Sequence, residues 1–157
     1  MHQRRREPGP TSILIAAFWP FAGAMLLLLL LGNWADAERR SWPMTDILAA
    51  IRQVETGDRE NAPDGDGGLA IGPYQIHYVY WLDATASDAS IGGRYEDCRK
   101  RGYATKVVEA YFRRYAAAAS KRGEAETLAR IHNGGPRGHL IRATRGYWQR
   151  VRKLLPS

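Results

Sequence analysis

Thr45-Asp46-Ile47-Leu48-Ala49-Ala50-Ile51-Arg52-Gln53-Val54-Glu55-Thr56-Gly57 decides how the rest of the chain is read. Ile47, Leu48, Ile51 and Val54 recur at the spacing of one apolar helical face. Thr45-Asp46 offers an N-cap, and Gly57 stands where a helix ends in the left-handed conformation. The spacing predicts a helix of about three turns, with Glu55 in its last turn.

Working outward, residues 58–68 are rich in Gly, Asp, Asn and Pro, which predicts a loop or short hairpin. Gly72-Pro73 predicts the opening of a second helix over 74–83, proline being favoured at a first helical position. Residues 87–94 read as loop. A long helix is expected over 103–120, where Val107, Val108, Tyr111 and Tyr115 share a face. A shorter one is expected over 124–132, stopped by Asn133-Gly134-Gly135-Pro136. The last begins near Thr144 and places Tyr147, Trp148, Val151 and Leu154 together. No strand alternation stands out, so the expected class is α+β and α-dominated: a small domain with one short hairpin or loop interruption.

Length and composition agree with one folded domain. The chain has 157 residues, 45% hydrophobic and 25% charged, which excludes a fully disordered or fibrous chain. A single cysteine, Cys98, rules out an internal disulfide and a cysteine-based metal centre. No metal and no cofactor are expected, since Walker, dinucleotide-binding and HExxH patterns are all missing. The net charge of +7 suggests a polyanionic partner.

The N-terminal segment reads as something apart from the fold. Arg4-Arg5-Arg6 precede an apolar run over 13–32, followed by Ala35-Asp36-Ala37, a small-x-small cleavage site. That order is the export-signal pattern. The run is also long enough to span a bilayer, for which about 20 residues suffice. Residues 1–37 are thus expected to be a signal peptide or membrane anchor, and residues 38–157 the working domain. The domain is then periplasmic or secreted, with inner-membrane attachment as the alternative, and nucleic acid is not the expected partner.

Two carboxylates carry the chemistry. Glu55 follows the apolar ridge of its helix, so one side of it should be desolvated; a carboxyl so placed keeps a proton more readily, as a general acid needs. Asp66, in Asp64-Gly65-Asp66-Gly67-Gly68, lies in a polar loop that should keep it ionised. Contrasting carboxyls are what glycoside hydrolysis requires: one protonates the leaving oxygen and the other stabilises or captures the oxocarbenium-like centre. On spacing alone, a solvated helix-end charge and a turn former explain the same two residues.

Val54-Glu55-Thr56-Gly57, Ile71-Gly72-Pro73-Tyr74-Gln75-Ile76, Tyr80-Trp81-Leu82-Asp83, Ala129-Arg130-Ile131-His132-Asn133-Gly134-Gly135-Pro136 and Gly146-Tyr147-Trp148 occur in one order. Together they resemble the invertebrate-type lysozyme (destabilase) family, within the wider lysozyme and lytic transglycosylase superfamily, over about residues 45–155. The resemblance implies a lysozyme-like fold and cleavage of the β-1,4 bond between N-acetylmuramic acid and N-acetylglucosamine in peptidoglycan. It puts Glu55 on the general acid and Asp66 on the second carboxylate, nucleophile or stabiliser. A one-residue offset back from Gly72 leaves Asp64 as the alternative. The bacteria-like lack of disulfides departs from the animal members. No serine occurs in Gly67–Ala70, so the isopeptidase activity credited to some members is not carried over.

Gln75, Ile76, Tyr80, Trp81, His132, Asn133 and Gly134 are the expected substrate-binding residues, with peptidoglycan glycan strands as the partner. Most have a plainer reading: Gln75 as a backbone brace, Tyr80 and Trp81 as core, His132 as the partner of a backbone carbonyl, and Asn133 or Gly134 as a left-handed helix stop. Two other functions fit the same residues. One is a lytic transglycosylase using Glu55 alone, the other a non-catalytic wall-binding or envelope-assembly protein.

Overall fold

A computed structural model of the chain describes residues 40–157; the expected signal or anchor segment and its cleavage site lie outside them. Among the described residues no helix is long and apolar enough to cross a membrane. Five helices and one small hairpin make up the unit: α1 (Met44–Thr56), β1 (Ala70–Ile71), β2 (Ile76–His77), α2 (Tyr78–Ser87), α3 (Arg101–Arg122), α4 (Ala125–Gly134) and α5 (Arg145–Arg152). The α-dominated α+β class is therefore the observed one.

The core gathers the apolar faces that the sequence spacing marks. Ile47 and Ile51 of α1, Val107, Val108 and Phe112 of α3, Leu128 and Ile131 of α4, and Val151 of α5 are fully buried, along with Ile71, Tyr74 and Ile76 of the hairpin. α5 packs on both α1 and α4. Arg130 secures the approach to α5: buried in α4, it donates from Nε to Thr144 (3.0 Å) and from Nη2 to the Ile141 carbonyl (3.1 Å). Cys98 is buried, and burial pushes its thiol up to about 12, leaving it a packing residue.

Several boundaries differ from the sequence reading, α3 by two residues at each end, and three of the differences bear on the fold. α1 starts at Met44 with Pro43 before it, and Asp46 lies in the first turn, where a negative charge meets the favourable end of the helix dipole. Its end is as expected: Gly57 is left-handed at φ 65°, with its N–H on the Gln53 carbonyl at 3.1 Å.

The expected 74–83 helix is replaced at its start by a hairpin. Ala70 pairs with His77 and Ile71 with Ile76, antiparallel, across a turn closed by the Gln75 N–H on the Gly72 carbonyl (3.0 Å). α2 begins only at Tyr78. The reason is tertiary. Gly72 has φ 72° and sits so close to the Cys98 backbone that a Cβ there would lie 2.0 Å from its carbonyl oxygen. Tyr74 is then driven fully into the core, its hydroxyl accepting from Arg52 Nη1 at 2.7 Å. A helix through 72–77 would give up both.

Finally, α4 runs on through Asn133 and Gly134, and Gly135 (φ 77°) is the residue that turns the chain.

Candidate active site

Glu55 lies in the last turn of α1 with its side chain 20% exposed. Two residues from distant elements flank its Oε1. The Tyr147 hydroxyl of α5 donates to it at 2.7 Å, and His132 Nε2 of α4 lies 3.6 Å away. Burial and the adjacent carboxylate hold the Tyr147 hydroxyl well above its ordinary value, so it remains a donor.

His132 is 4% exposed and faces inward. Its Nε2 lies 3.1 Å from the Tyr74 carbonyl, which can only accept, so the hydrogen is on Nε2 and Nδ1 accepts from the Tyr80 hydroxyl at 3.3 Å. Burial lowers its pKa, against the opposing pull of Glu55 and the Tyr74 carbonyl, and the ring is neutral. This ring therefore walls the carboxyl and is not open to a ligand.

Asp66 occupies different ground. It opens the short turn Asp66–Gly68 at φ 48°, a left-handed conformation uncommon for a residue with a side chain. Its side chain is 66% exposed, and His77 Nε2 lies 3.5 Å from its Oδ2. Asp64, two residues before, is engaged: Arg99 grips it with Nη1 on Oδ1 and Nη2 on Oδ2, the latter at 2.8 Å. That guanidinium holds the Asp64 carboxyl below the usual carboxylate range. Of the two loop aspartates, Asp66 is the more exposed and is not held by an arginine.

The other expected site residues divide. Gln75, at φ 50°, donates from Nε2 to the Gly72 (3.0 Å) and Pro63 (3.2 Å) carbonyls and so laces the hairpin turn to the loop. Ile76 (1% exposed) and Tyr80 (8%) lie in the core, Tyr80 stacked on Tyr111 with ring centroids 3.6 Å apart. These two expectations are corrected: enclosed side chains support the site from behind and cannot line it.

Trp81 is half-buried, donating to the Tyr103 hydroxyl at 2.9 Å, and its ring lies 5.5 Å from that of Tyr78. Asn133 is exposed at the end of α4, next to Gly134, where a Cβ would meet the Thr144 methyl at 2.6 Å. Tyr147, His77, Arg99 and the half-exposed Tyr78 were not among the expected site residues. Tyr147 was placed on its helix face, and nothing in local spacing links it to a residue 92 positions away. Among the described residues no group of His, Cys, Asp and Glu is arranged to hold a metal ion.

A helix-terminal glutamate in an α-rich shell, followed by a loop with an exposed aspartate and then a small hairpin, is the arrangement of a lysozyme-like protein. Comparison with known proteins makes this specific. The Destabilase family model matches residues 45–154. A lysozyme of the clam Meretrix lusoria is 37% identical over 109 residues, covering 68% of this chain and 86% of that protein. Invertebrate-type lysozyme 2 of Caenorhabditis elegans is 35% identical over 139 residues, 83% of this chain and 94% of that one. Among solved structures, a chain in the crystal structure of Aeromonas hydrophila PliI in complex with Meretrix lusoria lysozyme matches with a TM-score of 0.58 and 34% identity. That match covers 69% of this chain and 87% of the other. The chain belongs to the Destabilase family of invertebrate-type lysozymes.

Proposed function

We propose that this chain is an exported lysozyme that hydrolyses the β-1,4 bond between N-acetylmuramic acid and N-acetylglucosamine in peptidoglycan. Glu55 is the general acid. The observation that carries this is its setting: a carboxyl at a helix end, mostly buried yet reachable, with one oxygen gripped by Tyr147. As the C1–O bond breaks, Glu55 gives its proton to the leaving oxygen, and Asp66 captures or stabilises the cationic sugar. Water then completes hydrolysis, its proton returning to Glu55. The freedom of Asp66, against the Arg99-bound Asp64, supports its part as second carboxylate. Asn133 and Trp81 are the predicted contact residues with accessible side chains, and they bind the glycan. The segment 1–37 takes the domain out of the cytoplasm.

Two measurements test the reading. Mass spectrometry of muropeptides released by the purified protein should find reducing ends; 1,6-anhydro ends, lighter by one water, would make the chain a lytic transglycosylase. Glu55→Gln should lower turnover about 10²–10⁴-fold, the range for a positioned acid, with an unchanged melting temperature. A fully active Glu55→Gln protein sinks the mechanism, and wild-type protein that releases nothing sinks the enzyme.

A further inference from the structure

The two oxygens of Glu55 are not equivalent. Oε1 points inward, held by the Tyr147 hydroxyl at 2.7 Å and walled by His132 at 3.6 Å. A phenol has one hydrogen, and here it is spent on Oε1. His132 cannot take over the role, because its Nε2 hydrogen goes to the Tyr74 carbonyl. Oε2 accepts no hydrogen bond among the described residues, and Glu55 retains 20% exposure. When Glu55 is neutral, its one proton therefore belongs on Oε2, since Oε1 already accepts.

We infer that Tyr147 is a positioning residue that selects Oε2 of Glu55 as the oxygen that carries and delivers the proton. This rests on Glu55 being the general acid. A glutamate side chain has three rotatable torsions, and an untethered carboxyl spreads its proton over both oxygens and many directions. Tethering Oε1 leaves Oε2 as the one oxygen free to donate, and proton transfer depends on that kind of alignment. Tyr147 can do this because its helix is itself fixed: α5 packs on α1 and α4, and Arg130 clamps the turns that lead into it.

Tyr147→Phe keeps the ring and removes the tether. Expected is a fall in kcat of about tenfold or more, the loss of roughly one hydrogen bond in the transition state, with KM within about twofold. Added to Glu55→Gln, the change should have no further effect. If Tyr147→Phe has wild-type kcat while Glu55→Gln is dead, Tyr147 merely packs and the inference is overturned with the function intact. If Glu55→Gln alone is active, the reading of the acid fails and the inference goes with it. Should Tyr147→Phe not fold, 3-fluorotyrosine at position 147 keeps the shape and strengthens the donor. With the tether kept, kcat should stay within about twofold of wild type at unchanged KM, and a loss of about tenfold or more in kcat despite the intact donor overturns the inference.

Discussion

Glu55 and Asp66 are eleven residues apart in sequence and stand on opposite kinds of ground. Glu55 is set by three helices: α1 carries it, α4 supplies His132 and α5 supplies Tyr147. Asp66 is set by backbone alone, a left-handed residue in a tight turn with one exposed histidine nearby. The helical half obtains its order from apolar burial, which also dries the surroundings of its polar groups. The loop half obtains order from hydrogen bonds and ion pairs: Gln75 on two carbonyls, Arg99 on Asp64, and Arg101 near both Asp58 (3.3 Å) and Glu60 (2.9 Å). The two carboxylates of the proposed mechanism are thus placed by different means.

The sharpest way to break this contrast is at Asp66. Asparagine tolerates positive φ at least as well as aspartate, so Asp66→Asn should fold as the wild type does. Its turnover should fall by about 10²–10³, the usual loss when one electrostatic stabiliser is removed. Asp64→Asn, which releases Arg99 but leaves Asp66, should cost far less. If instead Asp64→Asn is the inactive protein, the pairing with Arg99 describes the catalytic carboxylate and the roles of the two loop residues exchange.

Next in size is the joint between the halves. Gly72→Ala would place a Cβ 2.0 Å from the Cys98 carbonyl oxygen at φ 72°. The clash is with backbone, which cannot swing aside as a side chain could. Destabilisation of roughly 2–3 kcal/mol is expected from overpacking plus backbone strain, read from the urea midpoint. A midpoint equal to that of the wild type would mean that the hairpin is not anchored through this contact.

The same contrast explains what could be read from the sequence. Helices α1, α3, α4 and α5 were legible because burial imposes a helical period on Ile47, Leu48 and Ile51, on Val107 and Tyr111, and on Tyr147 and Val151. The position of Glu55 followed from that period and from Gly57. A short hairpin was expected but its position was not legible: it falls at 70–77 and not within 58–68, since Gly72-Pro73 suits a helix start equally well and only the Cys98 backbone decides between them. Nor could spacing separate Asp64 from Asp66, because Arg99, which pairs with Asp64 alone of the two, lies 35 residues further on. For His132 the sequence leaves two readings open, a sugar contact and a partner of a backbone carbonyl; its neighbours Glu55, Tyr74 and Tyr80 come from α1, the hairpin turn and α2, which local spacing does not link.

His132 also gives the smallest of the expected effects, and one confined to the helical half. Burial lowers its folded-state value below the ordinary 6.5. As pH falls below about 6.5, the unfolded chain takes up a proton that the folded ring declines, so the unfolded state gains. The contribution is fully present above pH 6.5 and is lost progressively as pH drops toward the lowered value. The slope is at most about 1.4 kcal/mol per pH unit for a single proton. Glutamine at this position cannot titrate, yet its amide can still donate toward the Tyr74 carbonyl and accept from Tyr80. His132→Gln should therefore be less stable than wild type at pH 7 and flatter between pH 7 and pH 5, as measured by urea midpoints at each pH. Parallel pH curves for the two proteins would show that the ring titrates alike in the folded and unfolded states, and the wall behind Glu55 would then be open to water rather than dry.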